Sequence, residues 1–142
     1  MSNSAALAVA NNIANSAHYA NNKWLSSDNN SASIYIQADS GDLVTAGDSR
    51  FRYLWVRMAG TSVATGYCVK YDVADSKFYL YRVVADSWTL LTSPSWYMGT
   101  ITSSFALAIS STTLTLYVDT VSVATKTDTG ITAGRYLGIG LY

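Results

Sequence analysis

From residue 31 to the end of the chain, short turns repeatedly interrupt segments in which apolar residues alternate with other residues. Asp and Ser side chains hydrogen-bond to nearby backbone, and Gly accepts positive φ, so clusters of these residues favour tight turns. Such clusters lie at residues 39–42, 47–49, 73–76, 85–87, 110–113 and 128–130. Turns spaced by roughly eight to twelve residues are typical of an antiparallel β-sandwich or jelly roll and disfavour a parallel α/β sheet. The chain is therefore predicted to be all-β.

The segments between these turns have the composition of strands. The chain contains 11 Tyr and 4 Trp, and Thr and Val are frequent, all of which fit the pleated surface of a sheet. We expect strands at residues 33–38, 51–59, 65–72, 77–84, 88–91, 105–110, 114–119, 121–127 and 136–141. The only proline, Pro94, falls between two of these candidates.

The first thirty residues differ in composition from the rest. Every asparagine lies within residues 1–30, whereas every glycine and every threonine lies beyond them. We therefore expect an N-terminal arm at 1–30 and a β-sandwich domain at 31–142. The arm could be a short helix, a strand laid on the sandwich or an irregular segment, and a loosely held terminus is the plainer alternative to a packing role. Its candidates for assembly contacts are Leu7, Val9, Ile13, Tyr19 and Trp24.

Three consecutive segments in the middle of the chain carry a family pattern. Residues 66–72 read GYCVKYD, residues 77–84 read KFYLYRVV and residues 87–91 read SWTLL. This run resembles the central hairpins of the concanavalin A-like lectin/glucanase (laminin G-like) jelly roll, and the later segments at 105–109, 114–119 and 131–140 resemble its closing strands. The likeness covers roughly residues 51–141 and implies a jelly-roll fold. Thr120 departs from the pattern, since the family usually has glycine at that turn.

The residues that glycosidases need are missing. These enzymes use a pair of carboxylates, and the glucanase members of the family carry them in a Glu-x-Asp-x-x-Glu strand. This chain has no glutamate, and no strand candidate has two aspartates on one face. The only histidine, His18, lies in the N-terminal segment, and the only cysteine, Cys68, lies within a strand, where we expect it to be buried and unreactive. We therefore expect the protein not to be an enzyme.

Charge and metal ligands limit the possible partners. Nine basic residues balance nine acidic ones, so we expect neither a nucleic acid nor a membrane as partner, and no window is apolar enough for a membrane span. One cysteine and one histidine are too few for a zinc site. No cofactor is expected. Calcium is the ion to consider, at residues 28–30 and 39–42, although an Asx turn is the simpler explanation of the second segment.

Aromatic residues near predicted loops are candidates for carbohydrate binding. Sugars are commonly held by aromatic faces together with polar hydrogen-bonding groups. Trp88, Trp96 and Tyr97 lie in or near loops, and Arg82 and Asp86 are close in sequence. Core packing and subunit contacts are the alternatives, because Trp, Tyr and Arg are also common in cores and at interfaces.

Two functions of different classes remain. The first is a non-enzymatic structural virion protein, most concretely a phage capsid decoration or head/tail accessory protein that contacts other virion proteins or copies of itself. The resemblance implies this context, and the start of the chain lacks the basic residues of a secretory signal peptide. The alternative is a carbohydrate-binding module that attaches a particle or cell to surface glycans. We expect a location on the virion surface for the first function and an extracellular one for the second.

Overall fold

The computed structural model describes residues 23–26, 33–39, 51–59, 65–134 and 136–141. Within these ranges the regular elements are β-strands, and no helix there could span a membrane. The strands are β1 (Lys23–Ser26), β2 (Ser33–Asp39), β3 (Phe51–Ala59), β4 (Thr65–Asp72), β5 (Lys77–Val84), β6 (Ser87–Leu90), β7 (Tyr97–Met98), β8 (Ser104–Ser110), β9 (Thr113–Val118), β10 (Val121–Thr127) and β11 (Tyr136–Leu141).

These strands form two antiparallel sheets. The larger sheet has the order β1-β11-β3-β4-β5-β6, with β7 also paired to β5, and the smaller has the order β10-β9-β8-β2. Side chains alternate along each strand, and the inward sets of the two sheets meet in the main core. This core includes Leu54, Tyr67, Val69, Phe78 and Leu80 from the larger sheet and Leu107, Ile109, Leu114 and Leu116 from the smaller. The predicted antiparallel β-sandwich is therefore confirmed.

The sequence predicted nine of these strands closely. The bounds of β3, β4, β5, β10 and β11 agree with the expected segments, and β2, β6, β8 and β9 differ by one residue at one or both ends. No strand was expected at the position of β7, and a strand was one of the forms left open for the N-terminal segment that contains β1. β7 has only two residues, and β1 lies in the segment that differs in composition from the sandwich.

The larger sheet begins within the segment that we expected to be an arm. β1 pairs antiparallel with β11, with Trp24 opposite Gly138. The sheet therefore starts before residue 30, the boundary expected from composition. The other candidates for assembly contacts lie outside the described residues, and a role in assembly stays a prediction for all five: Leu7, Val9, Ile13, Tyr19 and Trp24.

The outer face of the larger sheet is also packed. In β3 six successive residues, 53–58, are buried, so this strand contributes to both faces. A second buried cluster lies on the outer face, and Phe51, Tyr81 and Trp88 pack against it. Its members are Tyr53, Trp55, Met58, Cys68 and Val83. The expected burial of Cys68 is confirmed.

A polar network lies at one edge of the main core. The Tyr67 hydroxyl donates to Asp128 Oδ1 at 2.6 Å and accepts from the Ile131 amide at 3.0 Å, while Arg82 Nη1 lies 3.0 Å from Asp128 Oδ2. Burial, helped by the hydrogen bond to Asp128, raises the pKa of Tyr67 to about 12. Burial alone would raise the pKa of Asp128, but the Tyr67 hydroxyl, the Gly130 amide and the charge of Arg82 outweigh it and lower that pKa.

The turn between β9 and β10 forms without glycine. Asp119 and Thr120 have φ values of 49° and 71°, a backbone conformation that glycine would adopt more easily. The Asp119 carboxylate accepts hydrogen bonds from the amides of Thr102, Ser103 and Ser104 at 3.0, 2.6 and 3.0 Å. The Ser103 amide and the Thr102 hydroxyl are the main causes that hold the pKa of Asp119 well below its usual range. These bonds fix the turn to the loop that precedes β8.

A bulge interrupts β3 at Arg57. The register between β3 and β4 shifts between Val56 and Ala59, and Arg57 has a φ of 52°. The buried Arg57 side chain donates from Nη1 to the Ile131 carbonyl oxygen at 3.1 Å. A Cβ atom at Gly134 would overlap the carbonyl group of Arg57, so only glycine fits there without displacement.

Candidate functional site

A shallow groove of about 340 Å³ lies on the outer face of the larger sheet. Tyr53, Lys70, Tyr81 and Trp88 line it, one residue from each of β3, β4, β5 and β6. The register brings them together, because Tyr53 is paired with Lys70, and Val83, two residues after Tyr81, is paired with Trp88. Paired residues point to the same side of a sheet. We call this site the outer groove.

The ring of Trp88 lies at the centre of the aromatic surface. Its centroid is 5.1 Å from that of Trp55, 5.3 Å from that of Tyr81 and 6.4 Å from that of Tyr53, with interplanar angles of 74°, 75° and 70°. Edge-to-face contacts of this kind are favourable, since the positive edge of one ring meets the negative face of another. The aromatic wall of the outer groove is therefore already assembled.

Lys70 places a positive charge within this aromatic surface. Its Nζ atom lies 4.7 Å from the ring centroid of Phe51, 4.8 Å from that of Tyr79 and 5.6 Å from that of Tyr81. All three distances are within the range at which the negative face of a ring attracts a cation. The ammonium group is thus held over rings that belong to two neighbouring strands.

Two glycines of β11 lie opposite the aromatic residues of β3. Gly138 pairs with Trp55, and Gly140 pairs with Tyr53. Glycine has no Cβ, so neither position adds a side chain next to the aromatic residues of β3. The described side chains that line the outer groove come from β3 to β6.

The buried thiol behind the outer groove is unsuited to nucleophilic chemistry. Cys68 is paired with Trp55 on one side and Tyr81 on the other, and its exposed fraction is 0%. Burial raises the pKa of the Cys68 thiol well above its usual value, so the thiol stays protonated. Aromatic faces, tyrosine hydroxyls and one ammonium group remain, and these are groups suited to binding.

Of the five residues that the sequence suggested for carbohydrate binding, Trp88 lines the outer groove. Trp96 and Tyr97 instead pack against the main core. Trp96 donates from Nε1 to the Thr125 carbonyl oxygen at 3.4 Å, and the ring of Tyr97 lies 5.9 Å from that of Phe78.

The two polar candidates lie in other places. Arg82 forms its ion pair with Asp128 at the edge of the core. Asp86 is exposed in the turn between β5 and β6, with a φ of 62°. The structure therefore does not bring the five candidates together, and a role of each in glycan contact stays a prediction.

The candidate calcium segments lie almost entirely outside the described residues. Only Asp39 of the two segments is described, at the end of β2. In the part of the chain that the structure describes, no three His, Cys, Asp or Glu side chains are grouped to hold a metal ion. Calcium binding at residues 28–30 or 39–42 stays a prediction.

The sequence contains a signal for the outer groove that turn-based reasoning missed. Aromatic residues recur at every second position in two strands, as Phe51, Tyr53 and Trp55 in β3 and as Tyr79 and Tyr81 in β5. Each series alternates with the residues that face the main core. A strand with apolar residues on both faces marks a sheet whose outer face also packs.

Comparison with known proteins supports the architecture. No protein-family model matches the chain, and no curated protein sequence is similar to it. Among solved structures, the carbohydrate-binding module CBM66 from Bacillus subtilis is similar, with a TM-score of 0.61 and 12% sequence identity over 84% of this chain and 74% of that one. At this identity the likeness concerns the fold, a β-sandwich. The narrower concanavalin A-like, laminin G-like resemblance stays a prediction.

Proposed function

We propose that this chain is a non-catalytic carbohydrate-binding module that takes a saccharide in the outer groove. The observation that carries the proposal is the groove itself, where Trp88 and Tyr81 form a preassembled aromatic wall beside Lys70. The fold is also similar to that of a carbohydrate-binding module. Cell-surface or extracellular glycans are the corresponding partners, and the protein would act where such glycans are exposed.

The chemistry of the outer groove fits a sugar ring. A pyranose or furanose presents C–H groups on its faces and hydroxyls around its rim. Aromatic side chains bury the apolar face, while a few polar groups fix the orientation of the ligand. The residues that line the outer groove with Trp88 carry two tyrosine hydroxyls, of Tyr53 and Tyr81, and the ammonium of Lys70.

The phage structural role has less support. One similar solved structure is a carbohydrate-binding module, and no described feature indicates a capsid or tail partner. The virion role, the virion-surface location and the non-enzymatic character stay predictions. Carbohydrate binding is therefore the function that we put first, in place of the order suggested by the sequence.

A pair of tryptophan variants tests this proposal. Trp88→Ala removes the centre of the aromatic wall, whereas Trp96→Ala removes a tryptophan that packs against the core outside the groove. We would screen the wild type against a broad glycan array and measure affinity for the best ligand by calorimetry, with circular dichroism and melting curves for each variant. Trp88→Ala should weaken binding at least tenfold. The Trp96→Ala variant, if circular dichroism shows that it is folded, should bind as the wild type does. A wild type that binds no glycan, or a Trp88→Ala variant of unchanged affinity, would contradict the proposal.

A further inference from the structure

Lys70 occupies an unusual place for a lysine. It lies in β4, an interior strand of the larger sheet, between Tyr53 on one neighbouring strand and Tyr79 on the other. Most lysines lie on the protein surface, with the ammonium group in water. Here the residue is half-buried on an aromatic face, and its Nζ atom contacts three rings.

Within the described residues, Lys70 forms no ion pair with a carboxylate. The ion pairs there are Lys77 with Asp75 at 3.8 Å and Arg82 with Asp128 at 3.0 Å. The aromatic contacts attract the ammonium through ring quadrupoles, but rings carry no net charge. Among the described residues that line the outer groove, Lys70 is the charged one, and the charge that it brings is positive.

The nearest acid on the same strand face is engaged elsewhere. Asp72 lies two residues after Lys70 in β4, is buried, and accepts a hydrogen bond from the Ala74 amide at 3.1 Å through Oδ1. Its partner across β4 and β5 is Lys77, a second positive charge. The Ala74 amide thus holds the Asp72 carboxylate at the turn after β4, and Asp72 is not among the described residues that line the outer groove.

We infer that the outer groove selects acidic saccharides, which carry a carboxylate or sulfate group to meet the Lys70 ammonium. This inference rests on the proposed carbohydrate-binding function and specifies its substrate class. Charge attraction between an anionic substituent and a partly dehydrated ammonium is stronger than in bulk water, because the local dielectric constant is lower. The aromatic wall alone would accept neutral and acidic sugars alike, so the lysine supplies the discrimination.

Matched polysaccharides separate charge from sugar identity. Polygalacturonate and its fully methyl-esterified form share one backbone and differ in the carboxylate charge. Chondroitin sulfate and its desulfated form separate sulfate from uronate as the source of the charge. The full chain should bind the acidic member of at least one pair ten times or more tightly than the uncharged or less charged member. Affinity for it should fall as NaCl is raised, since salt screens the attraction.

Substitutions at Lys70 then assign this preference to one residue. Lys70→Met keeps an unbranched side chain over the rings and removes the charge, while Lys70→Arg retains it. A matched control is Lys126→Met, which removes a lysine from β10 on the other sheet. Lys70→Met should lose at least tenfold in affinity for the acidic polysaccharide and little for a neutral one. Lys70→Arg should retain most of the affinity, and Lys126→Met should match the wild type.

The outcomes distinguish the substrate class from the function itself. Equal binding of acidic and neutral forms, abolished by Trp88→Ala, would overturn the acidic preference and leave the carbohydrate-binding function standing. Acidic binding that survives Lys70→Met unchanged would also overturn the inference. Failure to bind any saccharide would refute both proposals.

Discussion

Replacing Tyr67 with phenylalanine would remove one hydroxyl from the edge of the main core. That hydroxyl donates to Asp128 Oδ1 at 2.6 Å and accepts from the Ile131 amide at 3.0 Å. Tyr67 is fully buried, and the substitution leaves the ring in place. The variant therefore separates the hydrogen bonds of this hydroxyl, of which these two are the shortest, from the packing of the strand.

The expected cost follows from these two bonds. A hydrogen bond to a charged group contributes about 1.5–3 kcal/mol, and an amide left without a partner adds a further penalty. We expect the free energy of unfolding to fall by about 3 kcal/mol in total. For a domain of this size such a loss corresponds to a decrease in Tm of roughly 10 °C.

Urea and thermal unfolding, followed by circular dichroism, measure this loss. Tyr71→Phe is the matched control, because Tyr71 lies on the same strand and in the same core, and no hydrogen bond of its hydroxyl is found within the described residues. The control should change the free energy of unfolding by less than about 1 kcal/mol. A Tyr67→Phe variant as stable as the control would refute the reasoning.

The pH dependence offers a second measurement on the same residue. The pKa of Tyr67 is raised from 10.0 to about 12 in the folded protein, first by burial and then by the hydrogen bond to Asp128. Because the folded protein holds the proton of Tyr67 more tightly, the hydroxyl contributes its full stabilisation below pH 10. This contribution is lost as the pH rises from 10 towards 12. The stability difference between wild type and Tyr67→Phe should therefore shrink over that interval. A difference that stays constant would show that the hydroxyl does not titrate as inferred.

Three further predictions concern other parts of the sandwich. Gly134→Ala should lower the free energy of unfolding by at least about 2 kcal/mol, since its methyl group would overlap the Arg57 carbonyl; an unchanged urea midpoint would contradict this. Asp119→Asn should lower the Tm at neutral pH, because the side chain that accepts from residues 102–104 loses its charge. The difference should be complete above pH 3.8, the usual carboxyl pKa, and should shrink progressively as the pH falls below 3.8 towards the lowered pKa of the folded protein; a difference that stays constant below pH 3.8 would contradict a role of the charge. Cys68 should react with a thiol reagent only after unfolding, and rapid labelling in native buffer would be inconsistent with its burial.

The sequence predicted the strands because their signals are local. Turn residues and alternation mark the hairpin from β4 to β5 without reference to the rest of the chain. The outer groove depends instead on the register of four strands, which is a nonlocal property. In β3, Tyr53 and Trp55 alternate with Leu54 and Val56, so the residues themselves do not indicate which pair faces the main core.

The tryptophans illustrate the same limit. Trp88 and Trp96 both follow turn-like segments, so the local sequence does not indicate which of them lies in a groove. Pairing between β5 and β6 puts Trp88 on the outer face, while a backbone bond from the Trp96 amide to the Phe78 carbonyl oxygen, at 2.7 Å, holds Trp96 at the edge of the main core. Which tryptophan lines a groove is decided by these pairings and not by neighbours in sequence.

The burial of both faces of β3 also bears on how the strand finds its register. In a sheet with one polar face, a slip by one residue exposes apolar side chains to water and is rejected on that ground. In β3 a slip by one residue would exchange one set of apolar side chains for another, so hydrophobicity alone would discriminate poorly between the two registers. Directional polar contacts must then select the alignment. The bond from Arg57 to the Ile131 carbonyl at the bulge and the bonds of Tyr67 on the neighbouring strand have the geometry for this selection.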